Sequence, residues 1–165
     1  MPTKNTTSDI LVFDIETNGL LNQLDRVHCG VILDYKTKEV QEFRPWQIDA
    51  LADIIHDQVV VAHNGIGFDA VVMEELYEAK PKMVIDTLVM SRVLNPDRER
   101  PQGLPQRVGP HGLEAWGYRL GFYKGEYGKQ ENAWDEYSEE MLQYCKQDVM
   151  LTAKVYEALL KEMEG

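Results

Sequence analysis

Residues 9–15 read DILVFDI, and the run gives out at Asn18-Gly19, a strong turn pair. A short unbroken apolar stretch rich in β formers, closed by a turn, fits a central strand buried on both faces. Outward from it, 27–35 and 39–43 read as the next two strands, joined by the polar turn Lys36-Thr37-Lys38. QVVVA at 58–62 is a further buried strand, ending at His63-Asn64-Gly65, and 83–85 is a brief fifth. Helical spacing marks 48–55, 68–79 (stopped by Pro81), 86–94 and 112–120 (closed by Gly121). The longest helix is predicted over 138–163, opened by the capping sequence Ser138-Glu139-Glu140-Met141. Its Leu142, Cys145, Val149, Ala153, Tyr156 and Leu160 recur at three and four, giving one apolar stripe. Residues 95–110, rich in Pro, Gly and Arg, read as a loop. Three strands, then alternating helices and strands, then helices, predict an α/β domain with a mixed five-stranded sheet flanked by helices.

The 165 residues suffice for one domain with a sizeable core, and 44% hydrophobic residues exclude a disordered chain. Residues 1–8 are polar and read as a flexible tail without a secretory h-region, so 9–165 is expected to be a single domain. No apolar run reaches the ~20 residues that a membrane-spanning helix needs. Cys29 and Cys145 form no CxxC pair, which argues against a disulfide framework or zinc and for a reducing, cytoplasmic setting. The net charge of −11 is awkward for a partner of nucleic acid. From Arg92 to Lys129, however, seven Lys/Arg face four acids, so that segment is net positive. It is the expected contact with nucleic acid or a protein partner.

Asp14 and Glu16 lie two apart at the end of the first strand, so their side chains share a face. Two such carboxylates repel each other and resist desolvation, and a divalent cation offsets both effects. Tyr144 and Asp148, four apart on the last helix, flank its buried stripe. Asn64, Phe68 and Asp69 follow QVVVA through Gly65-Ile66-Gly67, with Asp69 expected in a first helical turn. Each signal alone is weak; a solvated acid pair, a helix-surface pair and a dipole-favoured acid would explain them one by one.

Together, D-x-E on the first strand, N-x-x-x-F-D at a strand-to-helix turn and Y-x-x-x-D on the last helix resemble the three motifs of the DEDD superfamily. These are the RNase H-like proofreading exonucleases. Gln143, where the other subclass places histidine, points to the tyrosine subclass. VHCGVILDY, VIDTLVMSRVL and HGLEAWGYRLGFYKGEY further resemble the exonuclease domain of the DNA polymerases of T-seven-like bacteriophages, whose chains continue into a polymerase.

The resemblance implies a 3′→5′ DNA exonuclease that releases 5′-mononucleotides from single-stranded or frayed ends with two divalent cations, Mg²⁺ or Mn²⁺. Asp14, Glu16, Asp69 and Asp148 would hold the cations, and Tyr144 would orient the attacking water. Thr17, Leu20, Asn64 and Phe68 would bind the terminal nucleotides. Asp86 is expected to cap the helix after it, and its place in the family segment IDTL implies support for the site; His111 is expected to cap a helix or touch phosphate, and His63 to be structural. Two other readings remain in play. One is trimming of RNA 3′ ends; the other is an accessory subunit bound to a separately encoded DNA polymerase in the host cytoplasm.

Overall fold

A computed structural model describes residues 10–19, 22–23, 25–122 and 133–165. The expected tail at 1–8 and Leu20 lie outside the described residues. The first strand, β1 (Ile10–Thr17), pairs antiparallel with β2 (Val27–Asp34), which pairs antiparallel with β3 (Val40–Phe43). On its other side β1 pairs in parallel with β4 (Val59–Ala62), and β4 with β5 (Met83–Asp86). The sheet order is therefore β3-β2-β1-β4-β5, with β1 central.

β1 alternates faces, and that alternation sorts the core. Phe13 and Ile15 point into a layer with Ile48, Leu51, Ile55, Val72 and Met73, contributed by α1 (Ile48–Ile55) and α2 (Ala70–Tyr77). Val12 faces the opposite layer with Met141, Leu142, Cys145 and Val149 of α5 (Glu139–Glu164). Asp14 and Glu16 share Val12's face, so they are turned toward α5. Gly30 on β2 sits where any Cβ would collide with the Leu51 side chain, which lets α1 lie close on the sheet. Outside α5, α3 (Thr87–Leu94) and α4 (Leu113–Leu120) bury Trp116 against Leu151, Val155 and Leu159. Among the described residues no helix is long and apolar enough to cross a membrane.

Two local features differ from expectation and shape the site. β1 continues past Ile15 to Thr17, so Glu16 is a strand residue; its register with β2 slips at Glu16/Thr17, pairing Glu16 with Cys29 and Thr17 with Val27. That leaves His28 as the extra residue of a bulge, a device that re-aims side chains beside functional sites. Second, the helix expected from residue 68 starts at Ala70, after a π-type turn over Gly65–Asp69. The turn is entered by Asn64 in the left-handed region (φ 66°), and a Cβ on Gly65 would stand 2.6 Å from that of Ala62. Close packing of the turn on the end of β4 therefore requires glycine.

Candidate active site

β4 pairs only with the first half of β1, through Val12, and leaves the strand's far end open on that side. The turn after β4 returns to fill the gap. Asp69, 4% exposed, accepts a hydrogen bond from the Ile15 amide at 3.3 Å. Its carboxylate supplies the acceptor that a neighbouring strand would have given. A bond with the Asp14 side chain helps to hold it, and that contact brings the first two motifs together.

The turn is itself pinned by Asp86. One carboxylate oxygen of this buried residue accepts from the Asn64 amide (2.8 Å) and the Leu88 amide (2.9 Å). The other accepts from the Ile66 amide (3.0 Å). Asp86 thus caps α3, as expected, and clamps the segment that carries Asp69. His63 shares a 2.8 Å hydrogen bond with the Thr87 hydroxyl beside it.

α5 closes the site from above. Cys145 Sγ lies 3.4 Å from the Asp14 carbonyl oxygen and 3.6 Å from Asp14 Oδ2. One ligand atom each from Asp14, Glu16 and Cys145 falls within a mutual 4.8 Å. Asp148, one turn further along the helix and buried, bears electrostatically on both Glu16 and Asp69. Tyr144 packs edge-on against Trp134, with ring centroids 5.9 Å apart.

The electrostatics follow from this crowding. Burial first, and then the charges of Asp14 and Asp148, push the Glu16 carboxyl well above the usual carboxylate range. Burial pushes Asp69 up to about 7, despite its bonds to Asp14 and the Ile15 amide. Burial also raises the Cys145 thiol, helped by a bond with Cys29 and by Asp14 and Glu16, so it acts as a protonated S–H donor to Asp14. The donor set is four carboxylates, of which Glu16 is raised by burial and the charges of the other three and Asp69 by burial and by Asp148. It fits hard divalent cations, which prefer oxygen ligands and neutralise such a cluster.

A cleft of about 340 Å³ opens beside Glu16, lined also by Ile15, Thr17, Gly19, Gln23, Phe68 and Trp134. The Thr17 hydroxyl donates to the Gly19 carbonyl (2.8 Å) and so shapes the turn at the cleft's lip. The base of the following loop is tied by Asn18, whose side chain bonds Asp25 Oδ1 (2.8 Å) and the amides of Asp25 and Arg26. Asn64, exposed on its turn, is not among the cleft's lining residues.

Residues 5–164 match the model of a family described as 3′-5′ exonuclease. The chain belongs to the 3′-5′ exonuclease family. It is 35% identical to the DNA-directed DNA polymerase of Enterobacteria phage T3, over 93% of this chain and 27% of the relative. The figures for the DNA-directed DNA polymerase of Escherichia phage T7 are the same. The chain thus spans about a quarter of these relatives' length. Among solved structures, Brucella melitensis NrnC with bound Mg²⁺ superimposes with TM-score 0.69 at 19% identity, over 94% of this chain and 74% of that one. The same protein bound to pGG gives TM-score 0.70 at 20% identity, with the same shares. The Aedes aegypti Nibbler EXO domain gives 0.65 at 14%, over 94% of this chain and 79% of that domain. These likenesses show the family's RNase H-like fold.

Sequence reasoning placed the carboxylates but passed over Cys145 and Trp134. Cys145 carried a usable signal, being next to Tyr144 and three before Asp148 on one helix. Trp134 carried none, since it lies before the helix in no periodic pattern. The basic segment was read differently from its structure. Arg98 bonds Glu162 (3.0 Å) and the Ser91 carbonyl (3.1 Å); Arg100 bonds the carbonyls of Val108 and Pro105; Arg119 bonds that of Glu99. These three guanidinium groups hold the loop together rather than lying free for phosphate. His111, likewise, bonds Ser91 Oγ (2.8 Å) and the Pro96 carbonyl.

Proposed function

We propose that this chain is a divalent-metal-dependent 3′→5′ DNA exonuclease that releases 5′-mononucleotides from single-stranded or frayed ends, in a proofreading-type role. The observation that supports it best is that half-buried Asp14 and Glu16 lie close together beside an open cleft, with buried Asp69 and Asp148 near enough for their charges to bear on Glu16. Burying like charges together is unfavourable unless a ligand compensates.

In this reading those four carboxylates hold two Mg²⁺ or Mn²⁺ ions. Such ions lower the pKa of bound water and stabilise charge on the phosphate and the departing oxygen. The chain's own groups do the rest. Tyr144 aims its hydroxyl to orient the attacking water. Glu16, at the cleft wall, accepts from the terminal 3′-hydroxyl, and the backbone near Thr17 contacts the same group. Leu20 and Phe68 bear on the terminal bases, a use of apolar surface that tolerates any sequence. Asn64, exposed on the turn that carries Phe68, would offer its side-chain amide to the incoming strand.

DNA is favoured as the substrate because both phage relatives are DNA polymerases. The net charge of −11, with Arg98, Arg100 and Arg119 engaged internally, predicts weak grip and distributive digestion. A separately encoded polymerase would supply the missing hold on DNA.

Asp14→Ala should lower mononucleotide release from a labelled single strand in Mg²⁺ by at least about a thousandfold, with the fold retained by circular dichroism. Residual activity within tenfold of the wild type would defeat the proposal. Running matched DNA and RNA oligomers side by side tests the choice of sugar.

A further inference from the structure

We propose that Trp134 is a substrate-positioning residue, its indole forming the wall of the cleft on which the base of the 3′-terminal nucleotide stacks and its T-shaped contact limiting how the ring of Tyr144 turns. This rests on the exonuclease reading above and adds a residue that the three motifs do not contain.

Three observations carry it. Trp134 lines the same cleft as Glu16, Thr17 and Phe68, so an aromatic face is available where the terminal nucleotide must lie if Glu16 is to reach its hydroxyl. The volume, about 340 Å³, is at the small end of the ~300–1,000 Å³ typical of small-molecule sites. Trp134 also meets Tyr144 in a T-shaped contact at 66°, an arrangement that leaves one ring edge-on to the other and restricts how the tyrosine can turn. Finally, its backbone is clamped. The ring Nε2 of His28 bonds the Trp134 carbonyl at 2.9 Å, and His28 is the bulge residue of β2, 2% exposed. The slip in register beside Glu16 therefore has a product: it turns a histidine out of the alternation to hold the segment that presents the indole. A tryptophan serving only the core would need neither the open cleft nor this tether.

Both parts of the role are measurable. With 5′-dAMP as probe in Mg²⁺, the wild type should show saturable quenching of tryptophan emission, and Trp134→Phe should lose it although Trp46 and Trp116 remain. Trp134→Ala should raise KM for a single-stranded oligonucleotide roughly tenfold, the scale of one lost base stack. It should also lower kcat, and in combination with Tyr144→Phe the kcat loss should not exceed that of Tyr144→Phe alone, because both act through one hydroxyl. Trp134→Phe, which keeps a ring, should recover most of KM. Undiminished quenching in Trp134→Phe, or multiplicative kcat losses in the double variant, overturns the proposal. If Trp134→Ala fails to fold, the Trp134→Phe titration decides alone. Asp14→Ala separates the two levels: if it is inactive while the Trp134 measurements are flat, only this inference falls, and if it is active, the exonuclease reading falls as well.

Discussion

The molecule gathers like charges in two places and treats them in opposite ways. At the corner between α3, α4 and α5, the guanidinium groups of Arg98 and Arg119 both lie over the ring of one residue, Trp116, at 4.9 and 4.7 Å from its centroid. Arg98, with a side chain 9% exposed, pairs with Glu162 and bonds the Ser91 carbonyl of α3, and Arg119 bonds the loop carbonyl of Glu99. Burial, and then neighbouring Arg98, hold Arg119 below the usual guanidinium range, while the Glu162 carboxylate acts in the opposite direction. At the end of β1 the charges that weigh most on Glu16 are all negative. One cluster has a counter-charge from the protein, Glu162, although Arg98 Nε and Arg119 Nη1 stay buried without a hydrogen bond among the described residues; around Glu16 the charges that weigh most add to the repulsion. The difference separates a structural corner from a site, and composition alone cannot draw it.

The strongest way to break that contrast is Asp69→Asn. It removes a charge from the acidic cluster and keeps its shape, so activity in Mg²⁺ should fall on the order of 10²- to 10³-fold. The metal-free protein should respond in the opposite sense. A carboxyl whose folded pKa is raised to about 7 binds its proton more tightly when folded, so it subtracts from stability as pH rises from about 4 to 7. In EDTA the wild type should therefore lose thermal stability across that window, and Asp69→Asn should flatten the loss, gaining on the order of 2–4 kcal/mol at pH 8. Melting curves that are parallel for the two proteins from pH 4 to pH 8 would place the strain elsewhere.

Arg98→Ala attacks the other cluster. Losing a largely buried ion pair and a cation–π contact should cost about 2–3 kcal/mol in urea unfolding, with kcat unchanged at low temperature. The loss is held to that range because Arg119 is relieved of a like charge. A fall in kcat beyond twofold would mean that this corner takes part in the reaction after all.

Smallest is the effect of Glu139→Gln at the mouth of α5, where half-buried Arg44 bonds an exposed Glu139 at 2.8 Å. Its bonds with Arg44 and Tyr137 lower the Glu139 carboxyl to about 2. The contribution is present above pH 4.5 and fades as pH falls toward 2, and solvent screening leaves it slight. A change in melting temperature of less than ~2 °C at pH 7 is expected; a larger one would show that exposed charge matters here as buried charge does.

Much of the frame was legible in the residues. DILVFDI, VHCGVILDY and QVVVA gave strands within a residue or two, and α1 was placed from its spacing alone, because continuous burial writes itself as apolar runs. The motif carboxylates were legible as candidates. What could not be read were contacts made by long-range approach: Asp69 to the Ile15 amide across 54 residues, Cys145 to Asp14 across 131, His28 to Trp134 across 106. Three arginines of the basic segment were unreadable for a related reason, while Arg92 and Arg107 are exposed as a contact with nucleic acid would need. A count of charges says nothing of the direction in which side chains point, and Arg98 and Arg119 point at Trp116.

Asp69 does a strand's work with a side chain, because the open end of β1 has its Ile15 hydrogen bond from a carboxylate and not from a neighbouring backbone. Any breathing of the 65–69 turn must then unzip the ladder and withdraw a charge in a single motion. The Ile15 amide is a reporter lying inside the machinery: its deuterium uptake, followed by NMR, should slow when saturating Mg²⁺, which is diamagnetic, replaces EDTA, and quicken in Asp69→Ala. An uptake rate indifferent to both would mean that sheet and site open independently.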